Sequence, residues 1–425
     1  MRILLLGAGG FIGRAVLAEL AAHGHRVTAV VRPGGGGAIP HGIAVREIDL
    51  ARAVREEDWR EALRDIEIVV NSAGILQGRA MEAVHVAMPR ALHAAAREAG
   101  VARVVLISAI SARPEVASDY AQSKLAGEQA LRASGLGWTV LRPSLIYGEG
   151  SYGGTSLLRG LAALPWFVPL AGSGDYAFTP IHLRDLARTV RTVCESQGFT
   201  GQTLEPVGPE TLTLRELLAR YRRWLGFGEA RCVSVPLPLM RLLARIGDVT
   251  GGGPVATNSL VQLVAGNAGD SASFARAAGF RPRSLDEALT YSPAQVQDRW
   301  HARLFFLAPA LRAVLIVLWL ASALLGLMFA REQAAAVTAG LGLPATLAEP
   351  LRIGTSLLDL AIAALLLTGR WPGMTTALQF LTVAGYTLAM GLAAPALWLD
   401  PLGPLLKNLP ILAAILVHGA VAQRR

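Results

Sequence analysis

The sequence predicts an α/β domain built on a doubly wound parallel sheet, followed by an all-α domain of four transmembrane helices. Three observations support this prediction. A short apolar strand runs into a glycine-rich turn at the start of the chain, strands and helices then alternate to about residue 300, and charged residues become sparse beyond Arg303. A chain of 425 residues is long enough for two or three domains. We therefore expect one domain over residues 1–300 and a membrane domain over residues 301–425.

Charge and cysteine content narrow the class of protein. The net charge of +9 comes from basic residues scattered over helices and loops, which argues against nucleic-acid binding and favours contact with anionic lipid. Lys124 and Lys407 are the two lysines among 40 basic residues, so a lysine in a motif is more informative than an arginine. Cys194 and Cys232 lack metal-ligand spacing, so we expect a reducing compartment, no disulfide and no metal site.

The first strand ends in three glycines, Gly7, Gly10 and Gly13, with the spacing G-x-x-G-x-x-G. Missing side chains at these positions would let a dinucleotide pyrophosphate approach the amides at the N-terminus of the following helix. That helix is expected from Phe11 to about residue 22. A plain tight turn is the alternative interpretation of the glycines.

Two polar positions follow the next strands, predicted over 27–31 and 44–48. Arg32 stands where NAD-binding enzymes usually carry an acidic residue for the ribose hydroxyls, and an arginine can pair with a 2′-phosphate. We therefore favour NADP over NAD as the cofactor. Asp49, followed by Leu50, could accept a hydrogen bond from the adenine amino group, with an ordinary helix-capping role as the alternative.

A fourth strand, predicted over 66–70, ends in the small residues Asn71-Ser72-Ala73-Gly74. Small side chains at this point would let the backbone pass close to the adenosine half of the cofactor. A helix over 81–99 and a fifth strand over 103–107 continue the alternation, which is typical of a parallel doubly wound sheet.

The candidate chemistry lies in the helix after the fifth strand. Tyr120 and Lys124 are four residues apart and therefore share a helix face. A tyrosine titrates near 10, too high for acid–base work at neutral pH, but the charges of Lys124 and an oxidised nicotinamide would stabilise the phenolate. We predict that Tyr120 transfers the proton, with a surface tyrosine beside a solvated lysine as the alternative.

A hydroxyl that orients the substrate carbonyl would complete this site. Ser108 closes the fifth strand at its C-terminal end, where open α/β sheets bind ligands, and is our first choice. Ser111 in the following loop is the alternative.

Together these residues resemble the extended or atypical branch of the short-chain dehydrogenase/reductase superfamily. The motifs that carry the resemblance are Gly7-x-x-Gly10-x-x-Gly13, Asn71-Ser72-Ala73-Gly74, Tyr120-x-x-x-Lys124 and the run Leu-Arg-Pro-Ser-Leu-Ile-Tyr-Gly over 141–148. The stretches 178–187 and 204–210 are similar to the subgroup that contains the nucleotide-binding accessory subunit of respiratory complex I. The resemblance covers residues 1–295 and is specific for fold and cofactor class.

The resemblance implies a Rossmann fold that binds NADP, or NAD, with acid–base work at Tyr120 and nicotinamide-ribose contact at Lys124. The candidate cofactor-binding residues are Gly7, Gly10, Phe11, Ile12, Gly13, Arg32, Asp49, Leu50, Asn71, Ala73, Gly74, Lys124 and Pro143. Extended members often carry a serine or threonine in the loop that here reads Ala109-Ile110-Ser111, so the choice of serine stays open.

The extended fold places its substrate lobe in the segments of about 148–175 and 232–290. Trp166 and Phe167 lie in the first of these segments. We expect them to pack in the core. Contact with an apolar substrate or with the membrane surface is the alternative.

The tail contains four apolar segments of roughly the length that spans a bilayer, over 304–329, 351–368, 374–394 and 405–422. They resemble DoxX-like four-helix membrane domains, whose fusion to a dehydrogenase is an arrangement known from bacteria. Five arginines flank the segments and place both termini on the cytoplasmic side of the inner membrane, namely Arg299, Arg303, Arg370, Arg424 and Arg425.

Two ionisable residues, Arg312 and Asp359, interrupt the first two apolar segments. Ionisable groups at membrane depth are costly, so we expect them to form a structural ion pair. Arg352 is an alternative partner for Asp359, and a proton or quinone site is the alternative function.

The function expected from these observations is that of a membrane-anchored NADP-dependent oxidoreductase or epimerase. Anchoring at a bilayer suggests a hydrophobic or lipid-linked substrate, such as a quinone or polyprenyl derivative, and allows a membrane-protein partner. The alternative is a non-catalytic NADP-binding scaffold, sensor or assembly factor, because the complex I relatives implied by the resemblance bind NADP without turning it over.

Overall fold

A computed structural model of the chain describes residues 1–249, 256–401 and 403–422. The chain divides into two compact units, Met1–Ala302 and Arg303–Arg425. Each unit is described separately below.

The strands of the described residues all lie in the first unit. They are β1 (Arg2–Leu6), β2 (Arg26–Val31), β3 (Ala44–Glu47), β4 (Ile68–Asn71), β5 (Arg103–Ile107), β6 (Gly137–Leu141), β7 (Ile146–Tyr147), β8 (Phe167–Ala171), β9 (Ala177–Phe178), β10 (Ile181–His182), β11 (Gln202–Leu204), β12 (Leu212–Thr213) and β13 (Arg231–Val235). The α-helices are α1 (Phe11–Ala22), α2 (Met88–Glu98), α3 (Asp119–Arg132), α4 (Gly154–Ala162), α5 (Leu183–Glu195), α6 (Leu214–Trp224), α7 (Leu237–Val249), α8 (Thr257–Ala265), α9 (Ser271–Ala278), α10 (Leu285–Tyr291), α11 (Val296–Phe329), α12 (Arg331–Gly340), α13 (Ala348–Thr368), α14 (Pro372–Ala393) and α15 (Asn408–Val421).

Seven strands form one sheet in the order β11-β6-β5-β4-β1-β2-β3. Every neighbouring pair is parallel. The strand order reverses at β1, which pairs with both β2 and β4, and open parallel sheets bind ligands at the carboxyl ends of the strands beside such a reversal. The predicted doubly wound parallel sheet is therefore confirmed.

Apolar layers cover both faces of the sheet. Leu4 and Leu6 of β1 pack in a core with α2, whereas Ile3 and Leu5 face the opposite core with α1 and α5. Because both faces of β1 are buried, the strand is apolar at successive positions and does not alternate with polar residues.

The helix expected over 81–99 has an irregular start. A π-helical turn, Ala83–Ala87, precedes α2. A turn of this kind adds one residue to the helical repeat and often marks a functional position. Its consequence for the site is described below.

Three short strand pairs, β7 with β10, β9 with β12 and β8 with β13, surround a smaller core in the rest of the first unit. The expectation that Trp166 and Phe167 pack in a core is wrong, since they are 81% and 49% exposed. Trp166 precedes β8, and side chains alternate along that strand, so Val168 and Leu170 point into the core in place of Phe167.

The second unit is entirely helical in its described residues. Three helices are long and apolar enough to cross a membrane, over 296–329, 345–368 and 372–393. They match the first three expected spans. The fourth expected span, 405–422, forms α15, whose 14 residues extend about 21 Å and are shorter than a typical spanning helix. The chain before α15 is a turn over 404–407, which shortens the helix at its start.

The expected ion pair between Arg312 and Asp359 is wrong. The guanidinium of Arg312 donates hydrogen bonds to the carbonyl oxygens of Leu366 and Leu367, near the C-terminal end of α13. Asp359 lies about two turns away along the same helix and accepts hydrogen bonds from Ser322 and Tyr386. Unpaired carbonyls at a helix end attract a cation, which explains where the arginine is bound.

Candidate active site

The glycine turn after β1 forms an open helix N-terminus. Gly7 has a φ of 73°, and its carbonyl accepts a hydrogen bond of 2.9 Å from the Gly10 amide. A Cβ on Gly13 would lie 2.7 Å from the Gly7 carbonyl carbon, so only glycine allows α1 to approach this closely. The first turn of α1, which begins at Phe11, carries no acidic residue. Its free amides and positive dipole end suit a pyrophosphate.

The loop after β4 meets this turn. A Cβ on Gly7 would lie 3.1 Å from the Ala73 amide nitrogen, so the two loops pack backbone to backbone. The buried Asn71 fixes the second loop, since its Oδ1 accepts a 3.0 Å hydrogen bond from the Ala73 amide. The sheet therefore brings Gly7, Asn71 and Ala73 together at the reversal of the strand order.

Lys124 connects this loop to α3. Its Nζ is buried and donates hydrogen bonds to the carbonyl oxygens of Ala73, at 3.3 Å, and Ile107, at 3.2 Å. A Cβ on Gly74 would lie 3.0 Å from the same nitrogen, which explains the glycine. The structure thus places the end of the Lys124 side chain directly against the candidate cofactor-binding loop.

Burial changes the titration of both members of the Tyr120–Lys124 pair. It raises the pKa of Tyr120 to about 12, so this phenol carries its proton at neutral pH. It lowers the pKa of Lys124 to about 8, partly opposed by the charge of Glu128. In this state Tyr120 is a proton donor, and an additional positive charge would be needed to make it a base.

His85 is a site residue that the sequence analysis missed. Its ring lies edge-on to that of Tyr120 at a centroid distance of 5.7 Å. Its Nε2 accepts a hydrogen bond from the Ile75 amide at 3.1 Å, which leaves Nδ1–H to donate to Ser123 Oγ at 2.9 Å. Burial and the charge of Lys124 lower the pKa of His85 to about 3, so the ring is neutral and acts as a hydrogen-bonded spacer.

The π-helical turn is what aims His85 at α3. A Cβ on Gly127 would collide with the His85 carbonyl oxygen, so the glycine lets α3 pack closely on the turn. Neither a lone histidine nor a lone glycine signals this contact in sequence. The π-helical turn itself also has no sequence signature.

The two candidate serines have different surroundings. Ser108 donates a 2.6 Å hydrogen bond to Glu128, whose carboxylate is fully buried and also pairs with Arg142 and Arg132 at 2.7 and 2.9 Å. The hydroxyl of Ser111 is buried and has no hydrogen-bond partner among the residues that the structure describes. The geometry therefore favours Ser111, the alternative candidate, as the free hydroxyl.

The remaining cofactor candidates lie around the same edge of the sheet. The side chain of Arg32 is exposed at the end of β2. Asp49 accepts a 3.0 Å hydrogen bond from the Ala51 amide, which stabilises a turn and not the start of a helix. Leu50 packs against the core of the sheet.

The Pro143 carbonyl accepts a hydrogen bond from the Ile110 amide at 3.0 Å and so holds the loop that carries Ser111. Phe11 and Ile12 are half-buried at the start of α1.

Two adjoining cavities lie beside this loop. The larger has a volume of about 410 Å³, within the range of small-molecule sites, and its walls include Val116, Leu237, Leu260 and Val264. The smaller, of about 160 Å³, includes Ser111 and shares Val116 and Val264 with the larger one. Ser111 therefore lines a small cavity of mixed polarity that adjoins the larger, mostly apolar one.

Comparison with known protein families gives two matches, each over a separate part of the chain. Residues 7–160 match an NAD(P)H-binding family, and residues 316–416 match the DoxX-like family.

Curated relatives cover the first part of the chain. Ceramide reductase of Caulobacter vibrioides is 29% identical over 243 residues, which are 56% of this chain and 74% of that protein. The mitochondrial NADH dehydrogenase (ubiquinone) 1 alpha subcomplex subunit 9 of Mus musculus is 27% identical over 270 residues, which are 59% of this chain and 67% of that protein.

Among solved structures, the UDP-glucose 4-epimerase of Thermus thermophilus in complex with NAD is similar with a TM-score of 0.53. The match has 20% sequence identity and covers 71% of this chain and 99% of that one. A likeness at this identity establishes the Rossmann fold and does not extend to substrate.

Proposed function

Because the chain joins an NAD(P)-binding Rossmann domain to a DoxX-like domain, we propose that it is a membrane-anchored NAD(P)-dependent oxidoreductase of the short-chain dehydrogenase type. The observation that carries this proposal is the position of Lys124. Its buried ammonium touches the cofactor-binding loop at Ala73 and lies one helical turn from Tyr120. This position joins the candidate cofactor loop to the candidate acid, as acid–base work beside a bound nicotinamide would require.

The proposed reaction reduces a carbonyl to an alcohol. NADPH held at the glycine turn of Gly7, Gly10 and Gly13 would supply the hydride for the carbonyl carbon. Tyr120 donates its phenolic proton to the carbonyl oxygen, and the neighbouring Lys124 charge stabilises the phenolate that remains. Ser111 offers a buried hydroxyl that orients the carbonyl oxygen towards Tyr120.

A hydrophobic or lipid-linked substrate fits the surroundings of this site. Most side chains that line the larger cavity are Leu, Val and Ala, and the others are Glu115, Thr257, Arg241 and Arg245. Helix α7, which lines it, exposes Leu239, Leu242, Leu243 and Ile246 on its other face. The relative named ceramide reductase supports a lipid substrate at the same site.

NADP is the proposed cofactor. The exposed guanidinium of Arg32 at the end of β2 is available to a 2′-phosphate. The wild-type chain should therefore bind NADPH more tightly than NADH, and replacement of Arg32 by alanine should remove the difference. Equal binding of the two by the unaltered protein would favour NAD.

The test is oxidation of NADPH by the full chain in detergent, with long-chain ketones and their short-chain homologues as substrates. Tyr120→Phe should reduce turnover by about 10²-fold or more, the range expected for loss of a general acid, while NADPH binding persists. Tyr291→Phe is the matched control, because Tyr291 lies in α10 and is 77% exposed. Undiminished turnover in Tyr120→Phe would contradict the proposed mechanism.

A non-catalytic role is the second candidate, and two observations favour it. The Ser108 hydroxyl is fixed by Glu128 and the chain is similar to a subunit of mitochondrial NADH dehydrogenase. In that case NADPH would bind tightly and raise the unfolding temperature, but no carbonyl compound would oxidise it. Lys124→Ala would then leave the protein's physiological role unchanged.

A further inference from the structure

The second unit contains a buried carboxyl group that the proposed hydride chemistry does not use. Asp359 is 3% exposed and is the twelfth of the 21 residues of α13. At 1.5 Å per residue it lies about 16 Å from one end of the helix and about 14 Å from the other. A helix of this length crosses a hydrocarbon layer of about 30 Å, so Asp359 falls near its middle.

Three helices meet at this carboxyl group. Ser322 of α11 donates a 2.6 Å hydrogen bond to Asp359 Oδ2. Tyr386 of α14 donates a 2.8 Å hydrogen bond to Asp359 Oδ1. Each carboxyl oxygen therefore faces one neutral hydroxyl group.

The charged side chains nearby have other partners. On α13 itself, Arg352 binds both carboxylate oxygens of Glu349, at 2.8 and 2.6 Å, and Arg331 of α12 lies 3.7 Å from the same carboxylate. Arg312 of α11 binds the carbonyl of Leu366.

Other titratable groups on the packed helices are Tyr386 of α14, already bonded to the carboxyl, and His418 of α15, which is buried. The described contacts of Asp359 are thus with hydroxyls and not with cations. An ionised carboxylate that lacks a cation is expensive in hydrocarbon, whereas the protonated acid is much less so.

The same hydroxyls can satisfy both protonation states. When Asp359 is ionised, it accepts from Ser322 and Tyr386. When it is protonated, its own O–H can donate to Ser322 Oγ, because a helical serine can turn its hydrogen to the carbonyl four residues earlier. Tyr386 already has a second acceptor in the Thr355 carbonyl, at 3.3 Å. Asp359 can therefore gain or lose a proton without leaving a buried polar group that lacks a hydrogen-bond partner.

We propose that Asp359, together with Ser322 and Tyr386, forms a reversible proton-binding site within the membrane unit. A network that only joined the helices would stay in one protonation state. This site instead takes up and releases a proton from the medium, independently of the reaction in the first unit.

The experiment is labelling of the full chain, reconstituted in lipid vesicles, with the hydrophobic reagent dicyclohexylcarbodiimide, followed by peptide mass spectrometry. A protonated carboxyl adds across the carbodiimide and rearranges to a stable N-acylurea without loss of any atom, whereas a carboxylate does not react. We expect an adduct on Asp359 at pH 5 that declines about tenfold per pH unit once the carboxyl group ionises.

Three variants sharpen the experiment. Asp359→Asn should lose the adduct, and Asp400→Asn, a control outside the helices, should keep it. Tyr386→Phe removes one donor to the ionised form, so the midpoint should move up by about one pH unit. If Asp359→Asn does not fold, the pH dependence of the adduct yield in the wild type and in Tyr386→Phe still tests the proposal.

Two outcomes would overturn the proposal. Absence of an Asp359 adduct at every pH, or a yield that does not change between pH 5 and 10, would show a fixed structural network.

Discussion

Lys124 keeps its positive charge at a buried position where that charge is disfavoured. The pKa of this amine is lowered to about 8 by burial, from an ordinary value of 10.5. Two backbone carbonyls, of Ala73 and Ile107, partly replace the lost water. The first unit therefore sacrifices some stability to hold a cation beside the cofactor loop, as active sites commonly do.

The lowered pKa of Lys124 should make the free energy of unfolding depend on pH. Between pH 8 and 10.5 the unfolded chain binds the Lys124 proton more tightly than the folded chain does, so the free energy of unfolding should rise with pH by up to about 3 kcal/mol. Lys124→Met should lack this rise. Unfolding midpoints of both proteins at pH 7, 9 and 10, measured by fluorescence, check the prediction, and parallel pH profiles would contradict it.

Substitution of the two candidate serines should separate an effect on stability from an effect on catalysis. Ser108→Ala removes a hydrogen bond to the buried Glu128 carboxylate and should cost about 1.5–3 kcal/mol of stability, with a small effect on kcat. Ser111→Ala removes a hydroxyl without a described protein partner and should lower kcat by about tenfold or more at nearly unchanged stability. Thermal unfolding and turnover of both variants test the assignment, which fails if their effects are exchanged.

At the scale of single elements, α3, which carries the candidate acid Tyr120, packs closely against the π-helical turn. Gly127→Ala would place a methyl group against the His85 carbonyl oxygen and force α3 away from the turn. We expect a loss of about 1–3 kcal/mol and a fall in turnover larger than that in NADPH affinity. Gly154→Ala in α4 is the matched control, since a Cβ there meets nothing within 4 Å and should be neutral or stabilising. Equal behaviour of the two variants would show that the contact does not matter.

The sheet and its first turn were predictable from sequence because their signals are local. Strands with apolar residues at successive positions, followed by glycines at fixed spacing, predict both β1 and the open start of α1. Strand and helix ends moved by one or two residues, as with β4, because hydrogen bonding to neighbouring strands decides where an element stops.

The features that sequence did not predict depend on contacts between distant residues. The bond between Ser108 and Glu128 joins positions twenty apart, and the π-helical turn at His85 packs against Gly127 of α3. Arg312 was assigned to Asp359 by charge alone, but the free carbonyls at the end of α13 lie nearer to it. Such choices are set by tertiary geometry, which a local pattern does not contain.

At the scale of the whole molecule, the apolar helices of the second unit place the protein at a membrane. We propose that α15 completes four passes and that both termini face the cytoplasm, because arginines flank the helices on that side. A reporter that is active only in the cytoplasm should be active when fused to either end of the chain, and the protein should resist extraction by alkaline carbonate. A reporter active only outside the cytoplasm when fused to the C-terminus would indicate three passes.

The near absence of lysine has a practical consequence for chemical footprinting. An amine-directed reagent can modify only Lys124, Lys407 and the amino terminus of this chain. Lys124 is 6% exposed, so its acylation would require the loop at Gly74 to move away from α3. The rate of modification at Lys124 therefore reports how often the loop at Gly74 moves away from α3. A dinucleotide that binds against the amine should slow this modification.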